Sequence, residues 1–170
     1  TTEIYTLSLH DALPICFGRH QPILAGTFYS TQNGAGQAAA LNQDGTVNSS
    51  ANPARAGSTI ALYGTGQGQV SPAVPDGIAV PIGTLANTVA VATSDARTCL
   101  NSQASMCVSF GATTAAGTPA FGDIKFSGLA PGAIGLWQIN VQMPSTVTGN
   151  VPVRVTINGS SSNTVTVAVG

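Results

Sequence analysis

Beyond residue 16 the chain offers few side chains suited to chemistry. They are His20, the cysteines Cys99 and Cys107, and the aspartates Asp44, Asp76, Asp95 and Asp123, with no glutamate. Triad hydrolysis needs a base held against a nucleophile. His20 is the one histidine in this stretch, and no G-x-S-x-G string marks a nucleophile elbow. Glycoside hydrolysis needs a pair of carboxylates, and Asp44 is better explained by the turn it makes with Gly45. Calcium sites in sandwich loops use aspartates and carbonyl oxygens. Asp44, Asp76 and Asp123 fall in loops or at strand edges, but no dense Asp-x-Asp run joins them. Zinc lacks ligands, with two cysteines and one histidine to draw on. Gly34–Ala39 reads G-x-G-x-x-A, yet a turn follows it where a dinucleotide site needs a helix. The expectation is no enzyme and no cofactor.

One group of polar residues does stand in register. Gln138, Asn140 and Gln142 alternate with Trp137, Ile139, Val141 and Met143. Successive strand side chains face opposite sides, so the amides form one row and the apolar residues another. Trp137, the single tryptophan, shares the apolar row and is expected in the core. An amide row is by default a solvated face. Because amides suit sugar hydroxyls, Gln138, Asn140 and Gln142 are also the candidate glycan-contact face.

The elements that must position these residues are short strands. In Val151–Ile157, Val151, Val153, Val155 and Ile157 alternate with Pro152, Arg154 and Thr156, and Val165, Val167 and Val169 alternate in the same way further on. Ser58–Tyr63, Asn87–Thr93, Val108–Phe110 and Asp123–Ser127 read as further strands, with a first one in Gln21–Ser30. Asp44-Gly45 between apolar flanks predicts a hairpin in Gly36–Val47. Gly64–Pro81 reads as a long loop, and glycine and proline interrupt every window long enough for a helix. The pattern predicts an all-β, immunoglobulin-like antiparallel β-sandwich. Its expected core is Ile60, Leu62, Val89, Val91, Ile124, Phe126, Trp137, Ile139, Val141, Val153, Val155, Val165 and Val167.

Five Lys and Arg against six Asp and Glu make no basic patch, which argues against a nucleic-acid partner. No apolar run is long enough to span a bilayer. Cys99 and Cys107 flank a short polar loop, and a disulfide between them suits an exported protein. The first residues stand apart. Thr1–Ile15, TTEIYTLSLHDALPI, resembles the conceptual translation of a universal short-read sequencing adapter. Residues 1–16 are therefore expected to be a non-native segment, and residues 17–170 a single domain.

From Pro22 onward the chain resembles an uncharacterised C-terminal domain family of acidobacterial, Solibacter-type secreted proteins. The matching pieces are GQAAALNQDGTVNSSANPARAGSTIALYGTGQGQVSP, FSGLAPGAIGLWQINVQMP and GNVPVRVTINGSSSNTVTVAV, in family order. The last piece is also similar to the end of IPT/TIG immunoglobulin-like domains. Against the family pattern, Ser94–Gly122 reads as an insertion carrying both cysteines. The resemblance implies a non-catalytic accessory domain at the C-terminus of a larger exported protein, outside the cell or on its surface. Its role would be a spacer, surface attachment or adhesion. A carbohydrate-binding module and a small secreted hydrolase are the alternatives. The expected partners are upstream domains of the same polypeptide and cell-surface or extracellular polysaccharide.

Overall fold

The computed structural model describes residues 22–24, 34–95, 98, 105–111 and 119–170. Short stretches rich in β-branched residues, punctuated by Gly, Pro and Asn, give strands throughout. In chain order these are β1 (Ile23–Leu24), β2 (Ala40–Leu41), β3 (Thr59–Thr65), β4 (Val70–Ser71), β5 (Asn87–Thr88), β6 (Val91–Ala92) and β7 (Ser105–Phe110). They continue with β8 (Ala120–Phe121), β9 (Asp123–Leu129), β10 (Trp137–Gln142), β11 (Gly149–Ile157), β12 (Ser160–Ser161) and β13 (Val165–Val169).

The strands form two sheets packed face to face. In the first, the order is β1-β3-β10-β9-β5-β4, with β2 beside β1 on the same edge of β3. In the second, β11 and β7 are central. Both β12 and β13 share one side of β11, and β6 and β8 share the far side of β7. All these pairings are antiparallel except β6 with β7. The core lies between the sheets. Ile60, Leu62, Trp137, Ile139 and Val141 from the first sheet meet Met106, Val108, Phe110, Val153, Val155, Val165 and Val167 from the second.

Period-2 alternation located the core of β3, β10, β11 and β13. It misplaced three residues. Val89 and Val91 were expected inside and are instead exposed. The expected strand Asn87–Thr93 is two pieces: β5 belongs to the first sheet and β6 to the second, so the chain changes layers across these valines. Phe126 was expected to share the inner face with Ile124. A bulge intervenes, with Asn140 paired to Phe126 and Val141 to Ile124, leaving Lys125 without an opposite residue. An extra residue reverses the facing of everything beyond it. Ile124 therefore packs against the core while Phe126 faces outward beside Asn140.

One further expectation needs correcting: Gly64–Pro81 is not wholly loop, because it contains β4. The Ser94–Gly122 stretch, read from sequence as an insertion with a strand at Val108–Phe110, does hold a strand there. It carries β7, which pairs with β11 along five residues and places Met106, Val108 and Phe110 in the core. The expected hairpin in Gly36–Val47 is present, with Leu41 bridged to Val47 across the Asp44-Gly45 turn. Thr1–Ile15 and His20 lie outside the described residues.

Hydrogen bonds made by side-chain amides finish two strand edges. Asn48, fully buried, accepts from Ala168 N (2.9 Å) and donates to Ala168 O (2.8 Å). It thus stands where a neighbouring strand's peptide would. Asn163 does the same for Leu24, accepting from its N–H at 2.8 Å and donating to its carbonyl at 3.1 Å.

Inside the core the one aromatic polar group is satisfied by a single hydroxyl. Trp137 Nε1 donates to Ser127 Oγ at 2.8 Å, Thr88 Oγ1 donates to the same oxygen at 2.9 Å, and Ser127 Oγ donates to Met106 Sδ at 3.4 Å. A serine hydroxyl has one proton and two lone pairs, and all three are used. Replacing Ser127 by Ala orphans a buried indole N–H, which costs about 1–3 kcal/mol. We therefore expect Ser127→Ala to lower the urea midpoint at unchanged m-value. A variant as stable as the parent would show that the indole finds another acceptor.

Candidate functional site

The central strand β10 holds the outer face of the first sheet. Gln138 stands between Tyr63 on β3 and Gly128 on β9, Asn140 between Ala61 and Phe126, and Gln142 between Thr59 and Asp123. Residues directly opposite in antiparallel strands share a face. The amide row read from the sequence is therefore real as a row, and two aromatic side chains flank it diagonally. From the strand spacing and rise, the Tyr63 and Phe126 backbones lie about 10 Å apart across the strands and about 7 Å apart along them. Both rings are half-buried. Sequence reasoning missed Phe126 as a member of this face, because the bulge at Lys125 separates its facing from that of Ile124.

Gly128 and Ala61 put no side-chain bulk beside the amides, although Gly128 is buried, because the Ala86 backbone occupies the space a Cβ would take. A Cβ on Gly128 would stand 3.0 Å from Phe126 Cζ, so the ring leans along β9 over this glycine. The amides are partly spent on each other: Gln138 Nε2 donates to Asn140 Oδ1 at 2.8 Å. Gln138 Oε1, Asn140 Nδ2 and the Tyr63 hydroxyl make no hydrogen bond among the described residues. Burial raises the Tyr63 phenol above its ordinary value, so it stays a neutral donor. Gln142 departs from the other two, its Nε2 donating to Gly57 O at 3.2 Å. At this corner Lys125 and Asp123 neutralise each other in an exposed ion pair at 2.5 Å.

Beyond Gln142 the sheet ends at an open cleft of about 450 Å³. Asn42, Asp44, Asn52, Arg55 and Ser58 are among its walls. An amide network holds these loops: Asn52 Nδ2 donates to Thr46 Oγ1 (2.8 Å) and Val47 O (3.0 Å), and Asn48 Nδ2 to Asn42 Oδ1 (2.9 Å). Asp44 Oδ1 accepts from the Thr46 hydroxyl at 2.6 Å and from its N–H at 3.0 Å. These bonds to Thr46 hold the Asp44 carboxyl below its ordinary value.

The other aspartates are dispersed. Asp95 caps Thr98 N at 2.7 Å, Asp123 binds Lys125, and Asp76 is exposed in a turn. Among the described residues no three His, Cys, Asp or Glu side chains converge, and no helix is long and apolar enough to cross a membrane. Cys107 is fully buried on β7, although its position opposite Thr156 turns it away from the core, and its sulfur is not a free thiol. Cys99 lies outside the described residues. Trp137 is fully buried, as its place in the apolar row requires. No family model, curated protein or solved structure matches the chain.

The Asp44 turn generates a prediction about acid. Its folded pKa is depressed, so its contribution to stability is fully present above the ordinary value of 3.8 and is lost as pH falls through the lower folded value. Asp44→Asn removes that titration. Urea midpoints taken at falling pH below about pH 4 should drop less steeply in the variant than in the parent. Parallel curves would show that the turn does not couple to protonation.

Proposed function

We propose that this chain is a non-catalytic accessory domain of a larger exported protein, acting in surface attachment or adhesion or as a spacer. The resemblance to C-terminal domains of secreted proteins supports this reading, and the immunoglobulin-like assignment belongs to the same proposal. The observation that carries it is how the carboxylate in the open cleft is employed. Asp44 closes a turn onto Thr46 and is held in its charged form, which suits a structural anchor and not a general acid. The fully buried Trp137, fixed by Ser127, is likewise a core residue and not a surface for ligands.

A general hydrolase screen on the full chain tests this, with Asp44→Asn and His20→Ala alongside. The expected result is no turnover above that of a boiled sample. Turnover lost in either variant overturns the reading in favour of a small secreted hydrolase.

The exported setting has a second consequence. We propose that Cys107 is bonded to Cys99. Peptide mapping of the non-reduced chain should recover the two as one linked peptide, and alkylation of both without reductant would reject the pairing.

A second reading, carbohydrate binding, is favoured by the amide row between Tyr63 and Phe126.

A further inference from the structure

We infer that the outer face of the first sheet binds a neutral polysaccharide, with Tyr63 and Phe126 as stacking residues and Gln138 and Asn140 as the hydrogen-bonding pair between them. This goes beyond the accessory-domain reading by naming the ligand class and the side chains that hold it.

Three properties of the face point to a neutral polyol. The first is geometry. Tyr63 and Phe126 flank β10 on opposite sides, their backbones about 10 Å apart across the strands, and the Phe126 ring leans along β9 over Gly128, which stands level with Tyr63 across Gln138. That separation is the reach of a short oligosaccharide lying across three strands, with one ring beneath each end. Aromatic faces take the C–H faces of sugar rings by burying apolar area, as in other aromatic contacts. The second is hydrogen-bonding capacity. Between the rings stand Gln138 Oε1 as acceptor and Asn140 Nδ2 as donor, with the Tyr63 hydroxyl beside them, all three without a partner among the described residues. The internal bond from Gln138 to Asn140 orients both amides in advance, which reduces the ordering cost of binding. The third is charge. The nearest ionic groups, Asp123 and Lys125, cancel in their own ion pair, so the face offers nothing to a polyanion or polycation. Gln142 is excluded from the contact set because its amide is engaged by Gly57 O.

The bulge at Lys125 is what makes the platform. It lets Phe126 face outward beside Asn140 while Ile124, two residues before it, packs against the core.

The test uses the full chain and a panel of neutral hexasaccharides of gluco-, xylo-, manno- and galacto-configuration, with hyaluronan as the charged control. Titration calorimetry reads affinity and thermal melting reads folding. We expect at least one neutral hexasaccharide to bind. We also expect Tyr63→Ala and Phe126→Ala each to weaken it roughly tenfold without a matching loss of folding. Tyr63→Phe should retain most of the binding, since the ring remains. Gln138→Ala with Asn140→Ala should abolish it, while Gln142→Ala should leave it unchanged.

Absence of binding across the panel overturns the inference, as does binding insensitive to Tyr63 and Phe126 or binding to hyaluronan alone. Should the alanine variants fail to fold, Tyr63→Leu and Phe126→Leu, which keep apolar bulk but no ring face, must still lose affinity. None of those failures touches the accessory-domain reading. Cleavage of a hexasaccharide would overturn that reading while leaving the binding face intact.

Discussion

A buried indole must place its N–H, and this requirement organises the centre of the domain. Trp137 is completely enclosed, so its nitrogen cannot use water. It finds Ser127 on the neighbouring strand β9, and that hydroxyl also meets Thr88 on β5 and Met106 on β7. One oxygen therefore reaches four strands in both sheets. Hydrophobic burial supplies the driving force for stacking the two layers, but it is non-directional. The serine adds direction, since the sheets can slide or rotate only by breaking a satisfied three-way contact. The fully buried Ile139 and Val141 then follow from the register that Trp137 holds.

Charge plays little part elsewhere, and amides take its place. Asn48 and Asn163 each offer a donor and an acceptor with the spacing of a peptide group, and each pairs both backbone groups of one residue. The long loops between Gly34 and Ser58 are held by such contacts, and every described buried side-chain polar atom has a partner. This explains a composition rich in Asn, Ser and Thr and poor in Lys. These residues do locally what ion pairs would do less well at an exposed surface.

The strongly alternating strands were legible from sequence because their two faces differ so clearly: Trp137–Gln142 and Val151–Ile157 could be assigned residue by residue. What escaped was non-local. Nothing in Val89 or Val91 announces that the chain changes sheets between them, because a two-residue strand is too short to carry a period. The bulge beside Lys125 is equally silent, and it lets Phe126 face outward while Ile124 packs against the core. The amide row was visible as Gln138, Asn140 and Gln142. Its flanking aromatics were not, since Tyr63 and Phe126 meet it only through strand pairing. The detachment of Gln142 depends on where Gly57 happens to lie, which no local pattern encodes.

The way each sheet is finished at its sides has a bearing on how such a domain behaves in company. β1 and β2 divide one side of the first sheet between them, and β4 with β5 covers the end of β9 at Gly128 on the other, each of these strands two residues long. In the second sheet β6, β8 and β12 are equally short. The one long flank, β13, is covered by bridges from Gln37 and Ala54 and by the Asn48 amide. A growing fibril needs a run of open peptide groups to template the next chain, and among the described flanks such a run is left on β9, where Asp123–Ser127 has no strand partner on the β5 side. Crowded copies would meet along that stretch, where the exposed charges of Asp123 and Lys125 stand against a flush pairing.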